Sequence, residues 1–151
     1  MARLLALYKA LVALCERNMW LPLLLARVSV GLEFFLSGKG KLADLDGFTK
    51  ELTRIGVPMP ELNAPFVAST EFVCGLLVTL GLCTRLAAIP LIATMLVAIT
   101  TAFLPKLAEP YLANFFYLVE WQFVVILVWL VFAGGGKASL DHVIATRRRP
   151  E

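Results

Sequence analysis

Residues 23–42 have the sequence LLLARVSVGLEFFLSGKGKL. The segment is long and apolar enough to enter a bilayer, yet it contains Arg27 and Glu33 and ends with Lys39 and Lys41. A membrane helix holds charged side chains where they face other protein or a water-filled cavity. We therefore expect a transmembrane helix that packs against further helices through its charged positions.

The composition of the whole chain is that of a membrane protein. Of its 151 residues, 60% are hydrophobic and 17% are charged, and the mean hydropathy is +0.82. Ordinary soluble domains are about 45–50% apolar and about 25% charged. A soluble chain of this length could not hide so much apolar surface, so the lipid bilayer is the predicted solvent.

Several classes of function lack their sequence signatures here. Cys15, Cys74 and Cys83 form no CxxC pair and no metal-ligand spacing. His142 is the single histidine, so we predict no metal site. The chain has no haem-ligand pair, no iron–sulfur cysteines and no nucleotide fingerprint. The run Arg147–Arg149 follows a membrane helix, where basic residues mark the cytoplasmic side rather than a nucleic-acid contact.

The apolar pattern predicts an all-α fold, an integral membrane four-helix bundle that forms one domain over residues 1–151. Gly38 and Gly40 are predicted to end the first span. The four spans are predicted at about 20–38, 65–82, 86–104 and 115–133.

The remaining segments are predicted to lie at the membrane surface. Residues 1–19 and the basic segment 137–149 have the pattern of interfacial amphipathic helices. The sequence DGFTKELTRIG (46–56) predicts a short amphipathic helix across the mouth of the bundle, with Gly56 as its C-terminal cap. This helix is either a lid or a segment ordered against lipid headgroups.

The basic residues divide unevenly between the two ends of the predicted bundle. Eight fall on the side of both termini (Arg3, Lys9, Arg17, Arg85, Lys137, Arg147, Arg148 and Arg149), and five fall on the opposite side (Lys39, Lys41, Lys50, Arg54 and Lys106). The positive-inside rule then predicts that both termini are cytoplasmic.

Three predicted spans each carry one glutamate close to the same predicted depth. Glu33, Glu71 and Glu120 would lie about 8–9 Å below the outer surface. Arg27 lies six residues, or about 9 Å, deeper than Glu33. Its expected partner is Glu71 or Glu120, unless its head reaches the cytoplasmic interface. Lys41 would complete this layer from above.

The carboxylate layer is compatible with several functions. A proton-exchanging carboxyl suits quinol oxidation, proton-coupled transport or the binding of a cationic ligand. Alternatively, the same groups hold the helices together as structural ion pairs and hydrogen bonds.

Three motifs resemble the DoxX family of small membrane proteins. The first, RVSVGLEFFLSGKGKL, matches the pattern R-x-x-x-G-x-x-F-x-x-x-G-x-x-K-L of the family's opening helix at Arg27, Gly31, Phe34 or Phe35, Gly38 and Lys41. The segment 55–91 resembles the family's second hairpin, in which a glutamate, here Glu71, opens the helix. GGGKASLD resembles its closing motif at Ser139 and Asp141.

The resemblance implies a four-helix bundle in a bacterial inner membrane, and two hypotheses of function. Some relatives are subunits of quinone-linked oxidoreductases that act on sulfur compounds, and others associate with proteins that handle thiols and oxidative stress. Under the first hypothesis the chain binds a quinone, with Arg27 or Lys41 polarising its oxygen and the three glutamates exchanging protons. An oxidoreductase partner, soluble or in the membrane, would supply electrons. Under the second, the chain is a non-catalytic scaffold or a small carrier for a cation or hydrophobic solute. Either could be a homo-oligomer.

Overall fold

The computed structural model describes residues 1–104 and 111–147, and these ranges are helical apart from the connecting turns. The helices are α1 (Ala2–Arg17), α2 (Trp20–Ala43), α3 (Leu45–Arg54), α4 (Pro60–Leu80), α5 (Thr84–Ala98), α6 (Tyr111–Phe116), α7 (Val119–Ala133) and α8 (Leu140–Arg147). A π-helical segment, Ile99–Phe103, continues α5. The described ranges contain no strand, so the predicted all-α class is confirmed.

Among the residues that the structure describes, three helical segments are long and apolar enough to cross a membrane: α2, α4 and the continuous run Thr84–Phe103. Helix α7 is also strongly apolar, but its 15 residues span only about 22 Å. A hydrocarbon core is about 30 Å thick. The architecture is therefore an all-α membrane bundle of three full-length helices and one shorter apolar helix.

The four apolar helices pack as a closed ring. The most extensive contact joins α2 to α4; α4 packs on α5, α5 on α7, and α7 returns to α2. The shared core includes Phe34, Val78, Leu91 and Leu127, all of them buried. The first and last apolar helices are thus neighbours, and the rings of Phe34 and Phe123 meet at 5.5 Å between centroids.

Glycines bring α2 and α4 into backbone contact. A Cβ atom on Gly38 would clash with the backbone nitrogen of Phe72, and one on Gly75 would clash with that of Phe35. At Gly31 the added atom would lie 2.5 Å from the Thr79 hydroxyl. In lipid, where hydrophobic collapse does not drive helices together, such close approach supplies the packing energy.

The predicted end of the first span is wrong. Helix α2 runs through Gly38 and Gly40 and ends at Ala43. Gly38 serves the contact with α4 rather than a helix stop, so tertiary packing overrides the low helix propensity of glycine. Helix α4 likewise begins at Pro60, before the predicted start, with Pro65 inside it.

The predicted short helix over the mouth is present as α3. The Asp44 carboxylate accepts the Gly47 N–H at its start, at 3.0 Å. Gly56 has a φ of 78°, and Val57 N–H donates to the Leu52 carbonyl at 3.0 Å, which gives a Schellman C-cap. Helix α3 packs on α4 and α2, so it covers one end of the ring.

The other predicted boundaries also shift. The segment predicted as the fourth span divides into α6 and α7, because Leu118 is extended between them. Helix α8 begins at Leu140, three residues later than predicted. Arg148 and Arg149 of the predicted basic helix, and Lys106, lie outside the described residues.

Candidate functional site

A buried ion pair joins α2 to α4 beneath the cover helix α3. Lys41 Nζ lies 2.6 Å from both carboxylate oxygens of Glu71, and the Ser37 hydroxyl donates to Glu71 Oε2 at 3.0 Å. Ser37 and Lys41 are one helical turn apart on α2, so both face the antiparallel α4. Glu71 is only 1% exposed. We call the end of the ring that contains this pair the Lys41 end.

The ion pair opens toward the mouth of the bundle on the lysine side. The Lys41 side chain is 27% exposed, and its Nζ lies 4.9 Å from the centroid of the Phe48 ring on α3. A lysine ammonium has three N–H donors, of which the Glu71 carboxylate can take two. One end of the ion pair, the Glu71 carboxylate, is therefore buried, while the other end, the Lys41 ammonium, is partly exposed beside α3.

Arg27 lies at the opposite end of α2, fourteen residues or about 21 Å from Lys41. It is 2% exposed. Its Nη1 donates to the Gly135 carbonyl at 3.1 Å and its Nη2 to that of Ala138 at 2.9 Å. The expectation that Arg27 pairs with Glu71 or Glu120 is wrong. The alternative, in which its head reaches toward the opposite end of the bundle, describes the geometry.

The Arg27 end of the bundle is closed by the C-terminal segment. The Asp141 carboxylate accepts the backbone N–H groups of Cys83 at 2.8 Å and Thr84 at 3.1 Å, and so caps α5. Asp141 N–H in turn donates to the Gly81 carbonyl at 3.0 Å. Gly81 has a φ of 71°, and a Cβ there would overlap Arg27 Nη1. We call residues 134–139, which follow α7, the glycine turn. Arg27 and Asp141 together hold the glycine turn and the start of α8 against the turn between α4 and α5.

Glu33 and Glu120 do not join the ion pair. Glu33 is exposed on α2, and Glu120 is half-buried in the first turn of α7. Within the described residues, neither carboxylate forms an ion pair or a hydrogen bond. Glu71 contacts Ser37 and Lys41, which lie four and eight residues beyond Glu33 on α2, so Glu33 is about 6–12 Å further from the Lys41 end than the ion pair. The structure therefore pairs Glu71 with Lys41 and keeps the other two glutamates apart from them.

Sequence reasoning named Glu71 and Lys41 but missed the structural roles of Ser37 and Asp141. Ser37 precedes Lys41 by four residues, and this spacing on a helix that carries intramembrane charge was an available signal. Across residues 1–104 and 111–147, no three His, Cys, Asp or Glu side chains lie close enough together to hold a metal ion.

A closed ring of apolar helices with a buried carboxylate–ammonium pair defines a small helical membrane protein. The DoxX family model matches residues 22–104, which include Arg27, Ser37, Lys41 and Glu71. The chain belongs to the DoxX family.

Two curated relatives are similar over most of their length. The chain is 31% identical over 123 residues to the Bacillus subtilis protein named "Putative oxidoreductase CatD", covering 80% of this chain and 85% of that protein. It is 32% identical over 133 residues to "Uncharacterized membrane protein Rv3486" of Mycobacterium tuberculosis, covering 80% of each.

A shorter match joins it to "Inner membrane protein YphA" of Escherichia coli, 36% identical over 63 residues, or 42% of this chain and 45% of that one. No solved structure matches the chain.

Proposed function

We propose that this chain is a membrane subunit of a redox system and that it binds a quinone at the Lys41 end. The observation that carries the proposal is the Glu71 carboxylate, buried in the bundle and joined to the outside through the partly exposed Lys41. A buried ionisable group inside a membrane protein is a functional candidate by default. The printed name of the Bacillus subtilis relative supports a redox role.

The side chains around the pair fit a quinone head group. A quinone oxygen needs a hydrogen-bond donor, and Lys41 keeps one N–H beyond the two that its carboxylate partner can take. The aromatic ring of Phe48 lies over the ammonium, and the stacked rings of Phe35 and Phe72, 4.9 Å apart, neighbour the pair along α2 and α4. Small-molecule sites usually combine a few polar groups with aromatic side chains, and both kinds of group occur close to this pair.

The proposed roles follow from these positions. A bound quinone would supply reversible two-electron, two-proton chemistry. Glu71 takes up or releases a proton at its carboxylate, and Ser37 holds that carboxylate in place. Lys41 donates a hydrogen bond to the ligand and stabilises the ionised Glu71. Electrons would come from an oxidoreductase partner on the lipid-facing or aqueous surface.

The proposed setting is a bacterial inner membrane with both termini in the cytoplasm. The excess of basic residues on the side of the termini supports this orientation. The Lys41 end would then face outward, and protons released by Glu71 would leave on the outer side.

A second function has its own support. Both oxygens of Glu71 are bonded to the chain's own groups, as in an ion pair whose task is to hold two helices together in lipid. Under this alternative the chain is a non-catalytic scaffold, or a carrier for a cation or hydrophobic solute, and Glu71 exchanges no proton.

Extraction of bound lipophiles distinguishes a quinone-binding subunit from a non-catalytic scaffold or carrier. The full chain is purified in mild detergent, extracted with solvent and analysed by mass for quinones. We expect quinone near one per chain in the wild type, and about tenfold less in Glu71→Gln or Lys41→Met. Lys41→Met removes the proposed hydrogen-bond donor to the quinone, and Glu71→Gln removes the ion pair that positions this donor.

Matched controls lie on α2. Glu33→Gln and Lys39→Met make the same chemical changes at exposed positions of α2 and should keep the wild-type quinone content. Circular dichroism and gel filtration of each variant report folding. A folded wild type without quinone, or equal quinone in Glu71→Gln, would contradict the proposal and favour the scaffold or carrier.

A further inference from the structure

An open cleft of about 530 Å³ lies at the Arg27 end, away from the proposed quinone site. It lies between the turn at the start of α5 and the glycine turn that follows α7. Its lining includes Arg85, Gly134, Gly136, Lys137 and His142. We call it the basic cleft.

The basic cleft carries positive charge that the described chain leaves uncompensated. Arg85 and Lys137 are exposed, and neither side chain has an ion-pair or hydrogen-bond partner among residues 1–104 and 111–147. The same holds for the exposed imidazole of His142. One carboxylate, Asp141, lines the cleft, but it accepts the backbone N–H groups of Cys83 and Thr84. An anion would therefore meet cations without displacing an internal partner.

The glycine turn adds backbone donors to these cations. The carbonyls of Gly135 and Ala138 accept hydrogen bonds from Arg27. In the part of the chain that the structure describes, the N–H groups of Gly135, Gly136 and Lys137 have no acceptor. Gly134 and Gly136 both have a φ of 74°. Turns that alternate the sign of φ can present successive N–H groups as a concave anion site.

Arg85 lies directly over this turn. A Cβ added to Gly134 would be 3.1 Å from Arg85 Nε, so a larger residue there would crowd the guanidinium. The absence of a side chain at Gly134 thus leaves room for the guanidinium against the start of this turn. Guanidinium and backbone N–H groups together are the usual ligands of a phosphate.

The position of the basic cleft in the membrane selects the source of that phosphate. Helix α5 begins at Thr84 and α7 ends at Ala133, so the cleft lies where two apolar helices leave the bilayer. This is the depth of lipid headgroups, and basic pockets between such helices bind anionic headgroups. We propose that the basic cleft binds the phosphate of an acidic phospholipid headgroup.

The test compares lipid retention by the full chain in two double variants. Arg85→Gln with Lys137→Gln removes the two strongest cations of the cleft. Lys39→Gln with Lys50→Gln makes the same charge change at exposed positions of the Lys41 end. Native mass spectrometry then measures retention of phosphatidylglycerol and phosphatidylcholine. The melting temperature in phosphatidylcholine alone verifies that both variants fold.

We expect the wild type to prefer phosphatidylglycerol. That preference should fall about 25-fold in the cleft variant, since each of its two cations would contact the bound phosphate and contribute roughly fivefold. It should fall much less in the control variant, whose lysines do not line the basic cleft. An equal fall in both variants would overturn the proposal, because bulk charge alone would then explain it. Saturable binding of inorganic phosphate without preference for phosphatidylglycerol would overturn the lipid assignment.

Discussion

Arg27→Met is expected to lower the free energy of unfolding by about 3–5 kcal/mol, because it removes two buried hydrogen bonds from a charged group, each worth about 1.5–3 kcal/mol. The substitution leaves the carbonyl oxygens of Gly135 and Ala138 without their donor, and unsatisfied buried acceptors are costly. It also removes the positive charge that interacts with Asp141. The glycine turn should therefore detach from the turn between α4 and α5.

Chemical unfolding of the full chain in mild detergent, followed by circular dichroism, measures this loss. Lys39→Met is the matched control, because it removes one positive charge from an exposed position of the same helix. Arg27→Lys should fall between wild type and Arg27→Met, since a lysine can donate to one of the two carbonyls. Equal stability of Arg27→Met and Lys39→Met would show that Arg27 does not hold the glycine turn in place.

Gly38→Leu is expected to lower the free energy of unfolding by about 3 kcal/mol or more, beyond the usual range for overpacking because backbone must move. A Cβ at Gly38 would already collide with the backbone nitrogen of Phe72 and lie 2.8 Å from the Ala68 carbonyl oxygen. The two helices would have to separate near Lys41 and Glu71. The variant should therefore lose the ion pair as well as stability.

Gly40→Leu is the control for this substitution. It lies two residues away on α2, and a Cβ there would meet no atom within 4 Å. Replacing a helical glycine in open space should preserve or raise stability, by up to about 1 kcal/mol. The same unfolding measurement compares the two variants. If Gly40→Leu were as unstable as Gly38→Leu, close contact between α2 and α4 would not be the cause.

The architecture was accessible from the sequence because it depends on local patterns. Apolar runs predicted the membrane helices, and the amphipathic pattern of residues 46–56 predicted α3. The C-terminal end of α2 could not be predicted from the sequence. A glycine can end a helix or allow another helix to approach closely, and the sequence alone does not say which role Gly38 has. Only the position of Phe72 on α4 decides between them.

The candidate site was predictable in part for a similar reason. Glu71 and Lys41 stand out as charges in apolar segments, and charge in lipid needs a partner. The partners of Arg27 are backbone carbonyls 108 and 111 residues further along the chain, which no periodicity identifies. Glu33 seemed level with Glu71 because depth was counted from the predicted helix ends, whereas the packing register of α2 against α4 places Glu71 beside Ser37 and Lys41, four and eight residues beyond Glu33. Asp141 was singled out only through the family resemblance. Its hydrogen-bond donors are backbone N–H groups, which no sequence pattern identifies.

Proton exchange by Glu71 is tested most directly by infrared difference spectroscopy. The full chain is reconstituted in membranes with excess quinone, so that weakened binding alone does not remove the signal, and spectra of the oxidised and reduced states are subtracted. We predict a carboxyl signal in the wild type, in Glu33→Gln and in Glu120→Gln, and its loss in Glu71→Gln. A carboxyl signal that persists unchanged in Glu71→Gln would contradict proton exchange at this residue and leave the Lys41–Glu71 pair with a structural role.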